Sequence, residues 1–576
     1  MITDTHVGAD GAAAELEAIV ARINGIEGIR FVVHTGDITE KGRDSEFAQA
    51  KRILNRLQVP YYIIPGNHDS HWIGYGMAGF RKTWPDDKFL FSQADSCFIG
   101  LNAWDVGHVA PKDADWFADR ISESPPNATI FLFIHQPLSA IDNWFALSNI
   151  LRGRRVFVIS GHVHRNGEIE YNEIPGATIR AAIGRQKTGW GFGQVEDTPG
   201  EIDFYEVGKF GQPSLWGILP KERRREIPEV RRLPFENFGA AVLWRYDLQT
   251  RLSAPLISWK GSIFAADASG TIMCFGLTGK ILWTYEAKQP IVSRPAVLDG
   301  FVWAATVGGR ILKLESKTGR LLASADVKED AQSQLVVFPI SETQRRGLLV
   351  GTRTGRMICL DADSLVTLWS NQPGQGAIQT RPIVVSRKIV YGSWDGRLRC
   401  LDAASGRQVW AWTENDNFYY SPAGCLPQSD GRSVFVCAPD GYVSAVGLSS
   451  GQTEWRRKYN AWESIGLSSD GKRILIKTRV DEFDIVNAEN GLPIQKIGPS
   501  HGGGDILPGE PLEWENGVVF GAQNGFIYRI DQSGRISPLL FLGTAGVSSV
   551  ELMKDNIFAA SNLDGGIVVF KIDPKD

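Results

Sequence analysis

The chain has 576 residues, 43% hydrophobic and 22% charged, which is too long for one hydrophobic core and too apolar for disorder, so at least two globular domains are expected. Its 61 basic and 65 acidic side chains give a net charge of −4, which leaves no electrostatic footprint for nucleic acid or an anionic membrane. No apolar run reaches the roughly 18 residues of a membrane-spanning helix.

The first residues, Met1-Ile2-Thr3-Asp4, carry neither the basic nor the apolar region of a signal peptide, so the chain as written is expected in the cytoplasm. A functional-looking segment already begins at Asp4, where a buried strand would normally lead in; a clipped start on an exported protein is the alternative. Eight of the nine histidines lie before residue 165, and His501 is the ninth, so imidazole chemistry belongs to the front of the chain.

From Gly11 to Gly25 the apolar residues recur at helical spacing and end at a glycine, which predicts an amphipathic helix. A β-branched run, Gly28 to Thr35, predicts a strand that stops at Gly36-Asp37; Glu46 to Leu57 reads as a second helix. The strand Val59 to Ile64 stops at Pro65-Gly66-Asn67-His68-Asp69. Two more apolar strands follow the same rule: Thr129–Ile134 ends at His135, and Arg155–Ser160 ends at Gly161-His162-Val163-His164. With Asp4-Thr5-His6, five polar clusters sit at strand ends, and in layered α/β folds such ends converge on the ligand.

Pooled, the clusters hold Asp4, His6, Asp37, Asn67, His68, His135, His162 and His164, an oxygen and nitrogen donor set without cysteine. It suits first-row transition metals and exceeds what one ion can use, so two ions are implied. Asp4 and His6 are two apart, as are His162 and His164, and in extended backbone such side chains share a face. Gly36 lets the chain turn to present Asp37, whose two carboxylate oxygens suit a bridge between cations. Asn67 adds a neutral oxygen.

The ordered set DxH, GD, GNHD, lone His and GHxH resembles the calcineurin-like metallophosphoesterase superfamily over the first third of the chain. The resemblance implies a layered α/β fold, a β-sandwich flanked by helices, and two divalent or trivalent transition-metal ions, manganese, iron or zinc. By resemblance Asp4, His6, Asp37 and His164 hold the first ion, and Asp37, Asn67, His135 and His162 the second. His68 is the catalytic non-ligand that gives a proton to the leaving oxygen or stabilises the transition state, with Asp69 orienting it. The implied reaction is attack of a metal-activated hydroxide on a phosphate ester, with no covalent enzyme intermediate. Were the strand before Asp4 absent, the first site would be weak and the domain inert.

His34, His71 and His108 match no motif position and read as ordinary surface or strand-end residues, and Cys97 as core. The glycine-rich loop from Gly184 to Gly191 offers Arg185 and Lys187 as candidate substrate-phosphate contacts, against the plainer reading of a solvated turn.

The front domain is therefore placed at 1–218. Residues 219–238, rich in charge with three prolines, form an expected exposed linker whose glutamates interleave with Arg223, Arg224, Arg225, Arg231 and Arg232. Residues 239–576 repeat. Gly270, Gly309, Gly355, Gly396 and Gly441 recur at 39 to 46 residues, then Asp481, Gly525 and Gly565 continue the series, and Trp283, Trp369 and Trp410 hold matching places. That period and alternation predict an all-β propeller of eight blades, seven being the alternative, with Ala240–Tyr246 pairing beside the last repeat. Cys274, Cys359 and Cys400 fall at equivalent positions and read as buried; Cys425 and Cys437 are a candidate disulfide.

The DG turn, LDA and G-x-x-x-W pattern resembles the PQQ-like (quinoprotein-type) repeat, a family with both quinone-dependent dehydrogenases and members that bind no quinone. No adjacent-cysteine pair or quinone and calcium constellation accompanies it here, so PQQ is not expected and the propeller reads as a surface for a substrate, protein or ligand partner. The sequence thus predicts a dinuclear phosphodiesterase or phosphomonoesterase, with a modest preference for diesters. The alternatives are a propeller-based scaffold with an inactive front domain and, last, a quinone-dependent oxidoreductase.

Overall fold

Inside the apolar runs of the front half, aliphatic and aromatic residues alternate, and this decides which layer each face meets. In Thr129–Ile134, Ile130, Leu132 and Ile134 join one core while Phe131 and Phe133 join another. Arg155–Ser160 does the same, with Val156 and Val158 on the first side and Phe157 and Ile159 on the second. A strand buried on both faces reads as continuous apolar sequence, as observed.

The computed structural model describes residues 1–70, 77–104, 107–184, 189–222, 226–230, 234–340, 345–415, 417–515 and 517–572. It divides into two units, Met1–Arg232 and Leu233–Asp576.

The front unit contains helices α1 (Ala12–Asn24), α2 (Asp44–Leu54), α3 (Asn67–Ser70), α4 (Ala78–Thr83), α5 (Pro111–Glu123) and α6 (Trp144–Ile150). Its strands are β1 (Val32–His34), β2 (Tyr61–Ile63), β3 (Phe89–Gln93), β4 (Ser96–Leu101), β5 (Thr129–Ile134), β6 (Arg155–Ser160), β7 (Gly167–Tyr171), β8 (Ile174–Thr178), β9 (Gly191–Asp197), β10 (Glu201–Gly208) and β11 (Ser214–Pro220). A six-stranded sheet in the order β3-β4-β5-β6-β8-β7 runs parallel from β4 through β8, while β1 pairs parallel to β2 and β9 to β11 form a third sheet. Phenylalanines of β4, β5 and β6 pack against Val33, Ile64, Ile202 and Phe204, forming the interior of a sandwich. Outside it, α1 and α2 cover one sheet and α5 and α6 the other. Cys97 lies in the α5–α6 core, 3% exposed.

No strand precedes Asp4 among the described residues; a single parallel bridge, Ile2 to His34, stands there instead. Ile2 N–H donates to Val33 O at 2.9 Å and Thr35 N–H to Ile2 O at 3.0 Å; Asp4, His6 and Val7 then donate to Gly36 O, Asp37 O and Ile38 O. A short parallel ladder thus carries the two ligand loops side by side.

Part of the segment drawn as an exposed linker also folds onto the front unit. Ile227 is 3% exposed in the α5–α6 core, and Val230 exchanges two hydrogen bonds with the Asn149 side chain, because an apolar residue between charges is better buried. Glu236–Asn237, at its other end, pairs with Ile536–Phe541 in the back unit. Arg223, Arg224, Arg225, Arg231 and Arg232 lie outside the described residues, as does His71.

The back unit is a β-propeller built from four-stranded repeats. One repeat is Ile257–Trp259, Ser262–Ala266, Thr271–Phe275 and Ile281–Glu286, paired antiparallel in chain order; three more follow to Trp412. A seven-stranded sheet holds two successive repeats, because Thr453–Leu467 is the outer strand of one and the first strand of the next. Ala241–Asp247 pairs with Gly566–Lys571, giving the last sheet its outer strand as expected.

Two sequence features of the repeats acquire reasons here. The recurring glycines from Gly270 to Gly565 have φ between 84° and 92°, and a Cβ at Gly309 would lie 2.1 Å from Glu329 O. Four tryptophans staple a repeat to the next: Trp283 Nε1–H donates to Ser316 O at 2.8 Å, and its ring packs on Gly319. Trp369, Trp410 and Trp455 do likewise with Ala403 O, Leu448 O and Ala488 O. Cys274, Cys359 and Cys400 are fully buried, and burial pushes their thiols up to about 11, 12 and 12. Cys425 and Cys437 are free thiols with sulfurs 3.5 Å apart, which corrects the candidate disulfide.

Candidate metal centre

The strand ends that carry the polar clusters do converge. Asp4 and His6 follow Ile2; Asp37 follows β1; Asn67 and His68 follow β2; His135 follows β5; His162 and His164 follow β6. Asp4, His6, Asp37 and His164 each offer a ligand atom within 4.8 Å of the others, and Asp37, His135 and His162 do the same. Asn67 joins the second group, its Oδ1 3.1 Å from His135 Nε2 and 3.0 Å from His162 Nδ1. Asp37 belongs to both: Oδ1 is 3.3 Å from His135 Nε2, Oδ2 is 3.9 Å from His6 Nε2, and His68 N–H donates to Oδ1 at 2.9 Å.

Extended backbone is not how the spaced pairs reach one place. Asp4, His6, Asp37, His162 and His164 all have φ between 43° and 66°, in the left-handed region. A non-glycine residue there costs roughly 1–2 kcal/mol, so five together mark a site whose geometry the surrounding fold imposes. Two glycines permit the approach. A Cβ at Gly66 would lie 2.2 Å from Asp37 Oδ1, and one at Gly161 would lie 2.0 Å from Thr3 Oγ1 and 2.6 Å from Asp4 Oδ2.

The outward partners of the rings set their tautomers. His135 Nδ1–H donates to Thr35 O at 2.9 Å, which fixes Nε2 as its inward nitrogen; His6 Nδ1 lies 3.1 Å from Glu40 Oε2, with Nε2 on the inner side. Inside, acceptors face acceptors: His135 Nε2 points at Asn67 Oδ1 and Asp37 Oδ1, His6 Nε2 lies 3.4 Å from His164 Nε2, and the latter is 3.0 Å from Asp4 Oδ1. Protons relieve this only in part. Burial would lower the pKa of His135, but Asp37 overrides it and pushes it up to about 9; burial would likewise raise Asp37, but His135 and His68 hold it well below the carboxylate range. A nitrogen and oxygen donor set of this kind, charged −2 by its carboxylates and free of sulfur, fits first-row divalent cations, which would take the place of those protons.

His68 is half in this shell. Nδ1–H donates to Glu40 O at 2.8 Å, and Nε2 lies 3.9 Å from Asp37 Oδ2. Burial pushes its pKa down to about 4, so the ring is neutral at pH 7 and a proton-donor role needs the added negative charge of a substrate. Asp69, expected to orient it, accepts hydrogen bonds from other groups among the described residues. Both Asp69 oxygens are engaged by Ile38 N–H, Thr39 N–H, Thr39 Oγ1–H and Gly66 N–H at 2.7–3.0 Å, joining the loops after β1 and β2 instead.

Two neighbours escaped sequence reading. Glu40 touches His6 and His68, and nothing in Gly36-Asp37-Ile38-Thr39-Glu40 distinguishes it from a solvated loop acid. His34, read as unremarkable, is fully buried: Gly36 N–H donates to Nδ1 at 3.2 Å, so Nε2–H donates to Thr5 Oγ1 at 3.0 Å, and Thr5 Oγ1–H to Ile38 O. It braces the loops of Asp4 and Asp37. His108 is buried as well, with Nδ1 2.5 Å from Asp142 Oδ1. Arg185 and Lys187 lie outside the described residues; Gly184, before them, donates its N–H to Glu15 of α1 at 2.8 Å.

The family model of the calcineurin-like phosphoesterases matches residues 1–166. The front unit is a calcineurin-like phosphoesterase domain. As such it is a metal-dependent hydrolase of phosphoric esters. A 3′,5′-cyclic-nucleotide phosphodiesterase of Nostoc is 25% identical over 193 residues, 28% of this chain and 70% of the relative. A probable glycerophosphodiester phosphodiesterase of Arcobacter nitrofigilis is 26% identical over 203 residues, 30% of this chain and 74% of the relative. The model described as outer membrane protein assembly factor BamB matches residues 236–342 and 343–461 of the PQQ-like propeller. Sqt1 of Saccharomyces cerevisiae resembles this chain in fold, with a TM-score of 0.50 and 13% identity over 58% of this chain and 100% of Sqt1.

Proposed function

We propose that the protein is a dinuclear metal-dependent phosphodiesterase whose propeller, eight-bladed in this reading, offers a surface for substrate or partner. One observation carries it: the two oxygens of Asp37 face two separate donor groups, Oδ1 towards His135 and Oδ2 towards His6, as a bridging carboxylate must. Asp4, His6 and His164 complete one site, and Asn67, His135 and His162 the other. Bound cations supply Lewis-acid charge that offsets the negative charge of a phosphoryl group and lowers the pKa of water.

The residues of the chain then have separate tasks. With cations in place, the outward contacts of His135 to Thr35 O and of His6 to Glu40 would leave Nε2 of each ring as the inward donor atom, and Asn67 adds an oxygen without adding charge. His68, anchored through Nδ1–H on Glu40 O, turns Nε2 towards the site. A bound phosphoryl anion raises its pKa, and the proton that Nε2 then takes passes to the departing oxygen as its P–O bond breaks, so that the N–H bond is exchanged for the new O–H bond. The open side is that of His162, which is exposed, while Asp4, Asp37 and His135 are sealed from water. The diester preference is supported by the two relatives above, both described as phosphodiesterases.

The test is Mn²⁺-dependent hydrolysis by the full chain of bis(p-nitrophenyl) phosphate and of p-nitrophenyl phosphate. The diester should turn over faster, and Asp37→Asn, nearly the same shape with one charge fewer, should lower turnover by at least about 100-fold. A parent chain inactive on both esters with Mn²⁺, Zn²⁺ or Fe²⁺, or an Asp37→Asn variant as active as the parent, would overturn the reading.

A further inference from the structure

Glu40 meets the site twice, by two different atoms. Its carboxylate oxygen Oε2 is 3.1 Å from Nδ1 of His6, and its backbone oxygen accepts Nδ1–H of His68 at 2.8 Å. The two imidazoles lie edge to face, ring centroids 4.4 Å apart, so one residue meets the outward nitrogen of both. The arrangement is sheltered: Glu40 is 7% exposed and His6 is 1% exposed. Glu40 follows Asp37 by three residues on a loop clamped from below by Asp69, which accepts from Ile38 and Thr39, so its position is tied to the bridging carboxylate.

We infer that Glu40 is a positioning residue that fixes the His6 ring for the first metal ion through its carboxylate and the His68 ring for the substrate through its carbonyl. A carboxylate behind a histidine selects the tautomer, restrains ring rotation and makes the inner nitrogen a stronger donor. The outer nitrogen of His6 faces the carboxylate of Glu40, whereas His135 uses the backbone oxygen of Thr35 in the same role. Because the acceptor for His6 is a side chain, substitution removes it; the acceptor for His68 is backbone and survives. The inference rests on the dinuclear reading above and separates the functions of the two histidines behind it.

The experiment uses the full chain and its Glu40→Ala and Glu40→Gln variants. Mn²⁺ binding is followed by calorimetric titration and by metal content after gel filtration, and kcat and KM for bis(p-nitrophenyl) phosphate are measured at rising Mn²⁺. Glu40→Ala should weaken one of the two Mn²⁺ equivalents by about 10- to 100-fold and leave the other within about 3-fold. Its kcat at saturating Mn²⁺ should stay within about 10-fold of the parent, since the backbone contact to His68 remains, with KM little changed. Glu40→Gln, whose amide oxygen can face Nδ1 in place of the carboxylate, should recover most of the affinity; it is the informative variant should Glu40→Ala not fold.

Parental affinity at both equivalents in a folded Glu40→Ala, an equal loss at both, or a Glu40→Gln variant as impaired as Glu40→Ala overturns the inference and leaves the dinuclear reading standing. A parent chain that takes up no Mn²⁺, or a single equivalent, overturns that reading and this inference with it.

Discussion

Gly161→Ala asks whether the ligand loops depend on their close approach. The added methyl would lie 2.0 Å from Thr3 Oγ1 and 2.6 Å from Asp4 Oδ2, where ordinary contact is 3.4–4 Å. Thr3 cannot turn aside cheaply, because Oγ1–H donates to Asp4 Oδ2 at 2.6 Å, and His162 N–H donates to the same oxygen at 3.1 Å. Relief therefore requires the loop of His162 and His164 to move away from the N-terminal segment by about 1 Å, a misplacement that can cost about 100-fold in rate at a reacting centre. That motion opens the 3.0 Å approach of Asp4 Oδ1 to His164 Nε2. Overpacking of this kind lowers stability by about 1–3 kcal/mol.

Thermal melts, Mn²⁺ titration and diesterase assays should therefore fall together, with activity down about 100-fold at limiting Mn²⁺. Gly153→Ala is the matched control: its φ is 72° but no atom lies within 4 Å of the new methyl. It should lose about 1 kcal/mol from backbone strain alone and keep parental activity. A Gly161→Ala variant with parental metal affinity and rate would refute the claim that the site is set by this contact.

Two further outcomes follow from burial. Trp283 is 8% exposed, packs on Gly319 and donates to Ser316 O at 2.8 Å, so Trp283→Ala should cost about 3–5 kcal/mol in urea unfolding and Trp283→Phe about 1–2 kcal/mol; losses under 1 kcal/mol for both would mean that the repeats are not joined by this contact. Burial pushes the pKa of His34 down to about 3 from 6.5, so above pH 6.5 the ring is neutral whether folded or not, and below it only the unfolded chain takes a proton. Stability should then fall by about 1.4 kcal/mol per pH unit between pH 6.5 and 3, measured in EDTA so that metal release does not contribute, and His34→Gln should flatten that limb; equal slopes would remove His34 as its cause.

The candidate site was legible in the sequence because most of its donors stand at the ends of apolar runs, and such runs can be read as strands without knowing their neighbours. Asp37, Asn67, His135 and His162 were identifiable in this way, Asp4 and His6 by their spacing alone, and the period of the repeat marked the propeller, since its glycines must adopt positive φ at each turn. What the neighbours of a residue decide was not legible. Asp69 looked like a partner of His68 because they are adjacent, yet its oxygens are taken by donors from two loops, and the His68 ring donates to Glu40 instead. Glu40 and His34 looked ordinary, because a brace is defined by what it touches across the fold. The left-handed conformations of Asp4, His6, Asp37, His162 and His164 belong to the same class: local preference opposes them, and the contacts of the surrounding fold hold them, among them the close approaches at Gly66 and Gly161. Residue type and strand order thus determined which side chains meet, whereas their tautomers, charges and backbone strain were decided by tertiary contacts, whose energies depend on distance and burial rather than on position along the chain.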